Sequence, residues 1–468
     1  MAVIEGAPTA PADRQRPSRW LLGVGLVIML AGVLFGYDQG VIAGALHGIK
    51  ADFDIGTTVT EIITSWVTLG ALVGALVAGG LADRWGRRST ILSAAGLFTV
   101  GAVIEAFAPG PPVLVVGRLV VGFGVGVASV AAPLYAAEMA PARVRGRFVS
   151  LYQLAITMGI LIAYVVDEAL TNSDAWRVML GVSAVPGILL AVAMFPMPDS
   201  PRWLLRNGRR DDAADALQKV EPGTDTEARL AEVQAAIDAD RQQASWGELR
   251  SPSLRRPLQI GIGLAVFQQI TGINAIIYYA NEIFGAAGFS TPQEQAAATT
   301  WAIGVVNVLA TFIAVGYVDR FGRKPLLRAG LIGMALSLTV VGIGFHLLDG
   351  QSGAKGGESP TAVMTLVGLV VFIASFAFSL GPVVWTVINE IFPSRVRGRA
   401  VAVATAANWG SAWLVSQFFL TITDAIGQAG TFLLFAAFSA IAFVWVTRTV
   451  PETKGRTLEE IEALWTEP

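Results

Sequence analysis

Carboxamides recur in otherwise apolar stretches of the second half of the chain, among them Gln268, Gln269, Asn274, Asn307 and Asn408. Burying an amide in an apolar medium without partners is costly, so such groups line a wet cavity or pair with one another. A carboxamide presents both donors and an acceptor. That suits a neutral ligand with many hydroxyls, which are also donors and acceptors at once. Trp385 and Trp409 can lie flat against the apolar C–H face of a ring in such a ligand. A charged ligand would call for extra Lys or Arg within these stretches, and they are lacking.

Asp38 and Arg118 are a sharper pair. Asp38 stands about 12 Å from the end of its apolar stretch near Leu46, and Arg118 about 9 Å from the start of its own near Pro112, at about 1.5 Å per helical residue. Similar depth allows them to pair. A lone ionised carboxylate there would be costly, and an adjacent guanidinium stabilises it. A carboxylate whose partner comes and goes with conformation is a proton switch, and Asp38 is expected to take a proton from one side, releasing Arg118, and to lose it to the other. The plainer alternative is a static ion pair. Glu105 reads as a solvated charge at the outer interface.

The elements that must hold these residues are membrane spans. Hydrophobic residues are 54% and charged residues 15%, against about 25% charged in soluble domains; mean hydropathy is +0.60. With 51 Gly, the helices are expected to pack closely on small residues. A span needs about 20 apolar residues. Breaks at charges, Pro and Gly give twelve, over 20–46, 60–82, 89–108, 112–135, 148–170, 176–195, 257–285, 298–318, 325–348, 360–388, 400–423 and 429–448. If the segments outside the spans are assigned alternately to the two sides, one side holds only Lys50 and Lys355, while Arg118 and Arg177 lie at or within helices. All other Lys and Arg fall on the opposite side, which places both termini in the cytoplasm. The first stretch, from Trp20 to Leu46, is too long for the core of a signal peptide and is read as a retained span.

Several chemistries are excluded. There are no cysteines, so no disulfide and no thiolate nucleophile or zinc ligand. The only histidines are His47 and His346, too few for an imidazole metal cluster. No phosphate loop of the G-x-x-x-x-G-K-[ST] type occurs. The net charge of -2 selects no nucleic acid. The short tails argue against a nutrient receptor, and the lack of a nucleophile–base set argues against an enzyme.

The segment 196–256 is the one sizeable polar insertion and reads as short amphipathic helices. Ser200-Pro201 fits a helix start and Gly208 a stop. Ser245 with Glu248, and Thr457 with Glu460, resemble capping boxes. In the C-terminal tail Leu458, Ile461, Leu464 and Trp465 fall on one helix face, expected to pack on the inner membrane surface.

An internal repeat organises the whole. Gly80-Leu-Ala-Asp83-Arg84-Trp-Gly86-Arg87-Arg88 recurs as Gly316-Tyr-Val-Asp319-Arg320-Phe-Gly322-Arg323-Lys324. Glu138-Met-Ala-Pro-Ala-Arg-Val-Arg-Gly146-Arg147 recurs as Glu390-Ile-Phe-Pro-Ser-Arg-Val-Arg-Gly398-Arg399, and Pro198-Asp-Ser-Pro-Arg202 is echoed by Pro451-Glu-Thr-Lys-Gly455. The expected fold is an all-α integral membrane protein of 12 transmembrane helices in two pseudo-symmetric six-helix halves, 20–195 and 257–448, joined by 196–256 and closed by 449–468. That is the organisation of alternating-access transporters. Asp83, Arg84, Arg87, Arg88, Glu138, Arg147, Asp319, Arg320, Arg323, Glu390 and Arg399 are expected to form charge-assisted pairs within and between the halves, holding the inner face shut.

These motifs, in this order, resemble the sugar porter family of the major facilitator superfamily. The resemblance runs from Gly36 to Thr457. It includes Gly36-Tyr37-Asp38, Gly117-Arg118, Gln268-Gln269-Ile-Thr-Gly272-Ile-Asn274-Ala-Ile-Ile-Tyr278-Tyr279, Gly381-Pro382-Val-Val-Trp385 and Asn408-Trp409. It implies that Gln153, Gln268, Gln269, Asn274, Asn307, Trp385, Asn408 and Trp409 contact a sugar. It further implies that Tyr278 and Tyr279 form the extracellular gate, and that Phe35 and Phe376 wall the pocket. In the family an aspartate at the Asp38 position marks proton symporters, whereas facilitative glucose carriers resemble it with asparagine. Ile160 stands where bacterial xylose symporters tend to have a second Gln and glucose carriers an Ile. The segment Ala265-Val266-Phe267 departs from the Gln-Leu-Ser of several glucose carriers. The expectation is proton-coupled import of a neutral, glucose-like monosaccharide across the plasma (inner) membrane. No cofactor is expected beyond the proton gradient, no nucleic-acid partner, and the protein is expected to be a monomer in lipid; an uncoupled facilitator is the alternative.

Overall fold

A computed structural model describes residues 18–171, 175–240, 246–349, 360–393, 396–456, 460, 461 and 465. The described residues are helical, with no strand among them. Eleven helical stretches are long and apolar enough to cross a membrane. The last, Arg397–Thr449, contains 53 residues and turns back at Gly427 (φ 74°, ψ 166°), so it is two spans and the total is twelve.

The first half comprises α1 (Arg19–Phe53), α2 (Thr57–Trp85), α3 (Arg87–Ala106), α4 (Pro111–Met139), α5 (Ala142–Leu170) and a sixth span divided at Ser183 into α6 (Trp176–Val182) and α7 (Ala184–Met194). Helices α8 (Pro201–Arg206), α9 (Arg210–Val220) and α10 (Thr226–Asp240), then a 3₁₀ turn at Trp246–Arg250, form the connector. Ser200 caps α8 by accepting the Trp203 N–H at 3.1 Å, and Gly208 follows with φ 73°, as the sequence leads one to expect. Ser245 and Thr457, each one member of an expected capping box, lie outside the described residues, as do Leu458 and Leu464. Ile461 is buried, and Trp465 Nε1 donates to the Ile391 carbonyl at 3.1 Å, so the tail packs on the second half.

In the second half the spans are less regular than apolar periodicity alone suggests. The expected span 257–285 is broken into α11 (Pro252–Ile270), α12 (Ile273–Tyr278) and α13 (Ala280–Ala286). The break is at Gly272, whose φ of 95° suits glycine, and a Cβ there would lie 2.6 Å from the Phe435 ring. After α14 (Pro292–Ala298), Thr299–Val305 forms a π-helical segment leading into α15 (Val306–Phe321). Such segments mark local departures from regular hydrogen bonding, often at functional sites. Then come α16 (Arg323–Asp349), α17 (Pro360–Phe378) and α18 (Leu380–Ile391), the last two divided at Ser379, and α19 (Arg397–Thr449). Span one is longer than expected, reaching Phe53 rather than Leu46.

The packing repeats along with the sequence. In the first half α1 lies on α5 and α2 on α4; at matching places in the second, α11 lies on α19 and α15 on α17. Between halves, α2 meets α19 and α5 meets α15 with its π-helical segment. Glycines permit the closest approaches: a Cβ on Gly36 would sit 1.9 Å from the Ile156 carbonyl oxygen, and one on Gly122 2.0 Å from that of Val67. Gly36 thereby fixes the height of α1 against α5, two residues before Asp38.

Candidate functional site

Gln268 and Gln269 end α11 just before the Gly272 break, and Asn274 sits just after it. The break lets all three converge on Asn408 of α19. Asn408 Nδ2 donates to Gln268 Oε1 at 2.7 Å and to the Ala265 carbonyl at 3.0 Å. Gln268 Nε2 donates to the Leu380 carbonyl at 2.7 Å, in the second broken span. Asn274 Nδ2 donates to Gln269 Oε1 at 2.9 Å, and Gln269 Nε2 to Asn408 Oδ1 at 3.3 Å. Gln39 of α1 then donates to Asn274 Oδ1 at 3.4 Å, carrying the network into the first half.

Two expected amides are outside this network. Gln153 on α5 and Asn307 on the facing α15 make no side-chain hydrogen bond among the described residues, although Asn307 is only 5% exposed and Gln153 is half-buried. Buried polar groups of this kind are normally satisfied, so these two amides are open to water or to a ligand. Trp409 is buried and meets Phe35 across the halves, with ring centroids 5.4 Å apart and planes tilted by 48°. Trp385 and Phe376 are half-buried on α18 and α17. Ile160 is buried on α5, with its backbone against Gly36 and Gly40 of α1.

Asp38 and Arg118 do pair. Arg118 Nη1 lies 2.8 Å from Asp38 Oδ1, and Arg118 Nε donates to the Ile63 carbonyl at 3.2 Å. Both are fully enclosed, at 3% and 0% exposure. Glu105 departs from the expectation: it is 1% exposed, not solvated, with Oε1 3.6 Å from Arg118 Nη1. The cause is the close contact of α3 with α4, where the Glu105 Cγ lies 2.6 Å from the place a Cβ on Gly117 would occupy. Tyr278 stands near Asp38, Arg118 and Gln39. The ion pair and the amides are therefore neighbours through Gln39 and Tyr278.

The face opposite the termini is shut. Lys50 Nζ pairs with Glu282 Oε1 at 2.8 Å, and Thr57 Oγ1 donates to Asp424 Oδ2 at 3.1 Å. Glu61 accepts the Thr421 N–H at 2.7 Å and its hydroxyl at 2.8 Å. Gln417 Oε1 accepts Ser65 Oγ at 2.7 Å and Trp66 Nε1 at 3.2 Å. Tyr164 donates across the halves to the Ile277 carbonyl at 2.9 Å. Tyr279 is fully buried beneath these contacts, donating to the Ser416 carbonyl at 3.0 Å and stacking on Phe419 at 5.0 Å. Above them remains a cleft of about 590 Å³ reaching His47, Lys50 and Asp424.

On the face carrying the termini, the repeated charges pair within each half. Arg87 grips Glu138 through two bonds of 2.8 Å and reaches Asp83 at 3.1 Å, while Arg206 lies 3.7 Å from Asp83. Arg323 pairs with Glu390 at 2.9 Å. Each of these pairs links helices of one half or its connector. Short loops put each partner on adjacent spans, so the shortest links are local. Arg84, Arg147 and Arg320 are exposed, and Arg88 points to the Phe195 carbonyl. Asp319 falls outside the described side chains, and Arg399 is held near the start of α19. Two acids missing from the expected set complete the pattern. Asp199 accepts the Arg87 N–H at 2.9 Å, and Glu452 accepts those of Arg323 and Lys324 at 3.0 and 3.1 Å. Each carboxylate thus caps the N-terminus of a helix at repeat-related positions. Partial burial pushes the Glu452 carboxyl up, but N–H donors from Lys454, Arg323 and Lys324 outweigh it and hold it below the ordinary carboxylate range.

Residue type could have flagged some of the residues that were missed. Glu105 is an acid in an apolar span, and Gln39 adjoins Asp38. Glu61 is likewise an acid in an expected span and Gln417 an amide in another, but Thr421 carries no such signal, and what the three meet is decided by the contact of α2 with α19.

Comparison with known proteins bears on the family and the fold. The family described as "Sugar (and other) transporter" matches residues 24–465. The galactose-proton symporter of Escherichia coli K12 is 41% identical over 92% of this chain and 92% of its own length. The arabinose-proton symporter of the same strain is 40% identical over 97% of this chain and 95% of its own. Among solved structures, the xylose transporter of E. coli in a partially occluded inward-open conformation superposes with a TM-score of 0.81 at 30% identity, covering 94% of this chain and all of that one.

Proposed function

The chain belongs to the sugar transporter family, and from that premise we propose that it imports a neutral monosaccharide together with protons by alternating access. It is a multi-pass membrane protein and a transporter, not an enzyme. Its relatives are named for proton symport of galactose and arabinose. One observation carries the reading for this chain: Gln39, next to the Asp38–Arg118 pair, hydrogen-bonds Asn274 in the amide cluster at 3.4 Å. A proton site and a set of sugar-sized donors and acceptors are therefore one hydrogen bond apart, across the boundary between halves that move.

In this reading the sugar lies between the halves. Gln268, Gln269, Asn274 and Asn408 face it from the second half, and Gln153 and Asn307 supply the free amides. Trp385, Trp409, Phe35 and Phe376 cover its apolar faces, and Tyr278 and Tyr279 close over it on the outer side. Ile160 favours a glucose-like hexose. Each hydroxyl exchanges water for amides already oriented by one another, which spares the site the cost of ordering them. Asp38 takes a proton while the outer side is open, and the neutral acid no longer holds Arg118. It loses the proton when the inner side opens. The proton gradient is the energy source, and the distribution of Lys and Arg supports placement in the plasma (inner) membrane with both termini cytoplasmic. A single chain contains both halves, so a monomer suffices.

The test is Asp38→Asn in proteoliposomes. Removing one member of a buried pair usually costs about 3–5 kcal/mol, but Arg118 keeps Glu105 as a counter-ion, so the variant folds. Accumulation of sugar against its gradient disappears, while counterflow, which needs no net proton movement, persists. An Asn variant that still concentrates sugar refutes the assignment.

A further inference from the structure

Arg118 faces two buried carboxylates, not one. Its Nη1 is bonded to Asp38 Oδ1 at 2.8 Å, while Glu105 Oε1 waits 3.6 Å from the same nitrogen. Arg118 Nη2 and Glu105 Oε1 are both buried without a hydrogen-bond partner. An unfilled donor and an unfilled acceptor thus belong to two neighbouring side chains in an enclosed space, an arrangement costly to maintain unless another state fills them. Gly117, immediately before Arg118, supplies the room in which the Glu105 side chain lies.

Resting on the coupling reading above, we propose that Glu105 is the alternate counter-ion of Arg118, receiving its guanidinium when Asp38 takes up the proton. The proton comes from water and ends on a carboxylate oxygen of Asp38. No other bond changes except hydrogen bonds: Arg118 leaves Asp38 and bonds Glu105. The loaded cluster then holds a neutral Asp38 beside an Arg118–Glu105 ion pair. In this charge state the cluster is neutral and costs least to enclose. Without Glu105, protonating Asp38 would strand an unpaired guanidinium in the protein interior, so proton loading would be resisted. Glu105 is a positioning residue: it acts through Arg118 and touches neither sugar nor the transported proton.

The other charged and titratable groups around the cluster are engaged elsewhere. Glu61 on α2 is bonded to Thr421, and Lys50 at the far end of α1 to Glu282. Arg177 on α6 pairs with Asp52. Asp167 on α5 accepts the Gly44 N–H at 3.1 Å, further along α1. Tyr278 on α12, near Asp38 and Arg118, carries a hydroxyl and no carboxylate. None offers Arg118 a second anion.

The experiment measures initial sugar uptake against external pH in proteoliposomes containing the wild type, Glu105→Gln or Glu105→Asp, with counterflow as the check that each carrier is folded. With Gln, the external pH giving half-maximal uptake moves to the acid side by about one unit, a tenfold rise in the proton concentration needed. With Asp, which keeps the charge, the midpoint returns toward that of the wild type. An unmoved or alkaline-shifted midpoint for Gln overturns the proposal, as does an Asp variant displaced as far as Gln. Loss of counterflow together with uptake in both variants also overturns it, by reducing Glu105 to a packing residue. If Asp38→Asn still concentrates sugar, the coupling reading fails. If Asp38→Asn behaves as expected and Glu105→Gln leaves the midpoint unmoved, only the alternate counter-ion fails.

Discussion

The contact of Glu61 with Thr421 makes a quantitative statement about which way the carrier faces. One carboxylate of α2 accepts both the N–H and the hydroxyl of Thr421 on α19, at 2.7 and 2.8 Å. Glu61 is 1% exposed, so water does not compete in the closed state. Hydrogen bonds to charged groups contribute about 1.5–3 kcal/mol each. When the outer side opens, the carboxylate recovers water, so the net bias toward closure is nearer 2 kcal/mol for the two bonds together. By comparison, Lys50–Glu282 is about one-third exposed on each side and contributes at most about 1 kcal/mol. Glu61→Ala should therefore shift the outer-closed to outer-open ratio by about thirtyfold, since 1.4 kcal/mol corresponds to a factor of ten. The absence of native cysteine makes the measurement clean. Ser416→Cys places a thiol at a fully buried position whose hydroxyl has no partner, beneath the Tyr279 contact. Its rate of labelling by a membrane-impermeant maleimide from the outside reports the open fraction. Glu61→Ala should raise that rate by one to one and a half orders of magnitude, and Lys50→Ala by much less. Equal labelling in the presence and absence of the Glu61 carboxylate would refute the reasoning, because it would mean that the two bonds do not bias closure.

Three further outcomes follow from the same contacts. Gln153→Leu and Asn307→Leu should each raise KM for sugar by about tenfold or more, corresponding to a lost ligand hydrogen bond of about 1–2 kcal/mol, without changing the ratio of protons to sugar. Flux and proton uptake measured together check this. Gly272→Ala should abolish transport and lower Tm, because alanine is strained at φ 95° and its Cβ would meet Phe435 at 2.6 Å; the strain alone is about 1–2 kcal/mol. Glu452→Gln should lower stability at neutral pH by about 1 kcal/mol, through weaker acceptance of the N–H groups that start α16. Because the folded carboxyl is held below its ordinary range, that contribution is present above the unfolded value and is lost as pH falls through the lower folded one. Thermal melts of the two proteins in detergent should therefore differ at pH 7 and converge in acid.

Much of this molecule is written in one dimension. Apolar runs with Lys and Arg confined to alternate loops gave twelve spans, because bilayer thickness and charge asymmetry act on local sequence. The paired motifs around Arg87 and Arg323 gave two halves, and the amide residues themselves announced a polar ligand, since each is anomalous in an apolar span. Asp38 and Arg118 could be paired from depth along their helices alone. Tertiary structure decided what depends on the angle between helices and on which glycines let them touch. Gly272 breaks a span that reads as continuous, and the break turns Gln268, Gln269 and Asn274 toward Asn408. The contact of α3 with α4 at Gly117 encloses Glu105, which by depth alone reads as a solvated charge. Glu61 reaches Thr421 only because α2 crosses α19, and Arg87 and Glu138, like Arg323 and Glu390, meet only because their spans pack side by side. Distance along the chain fixes depth in the membrane, but only packing fixes direction, and a charged or amide side chain acts in the direction it faces.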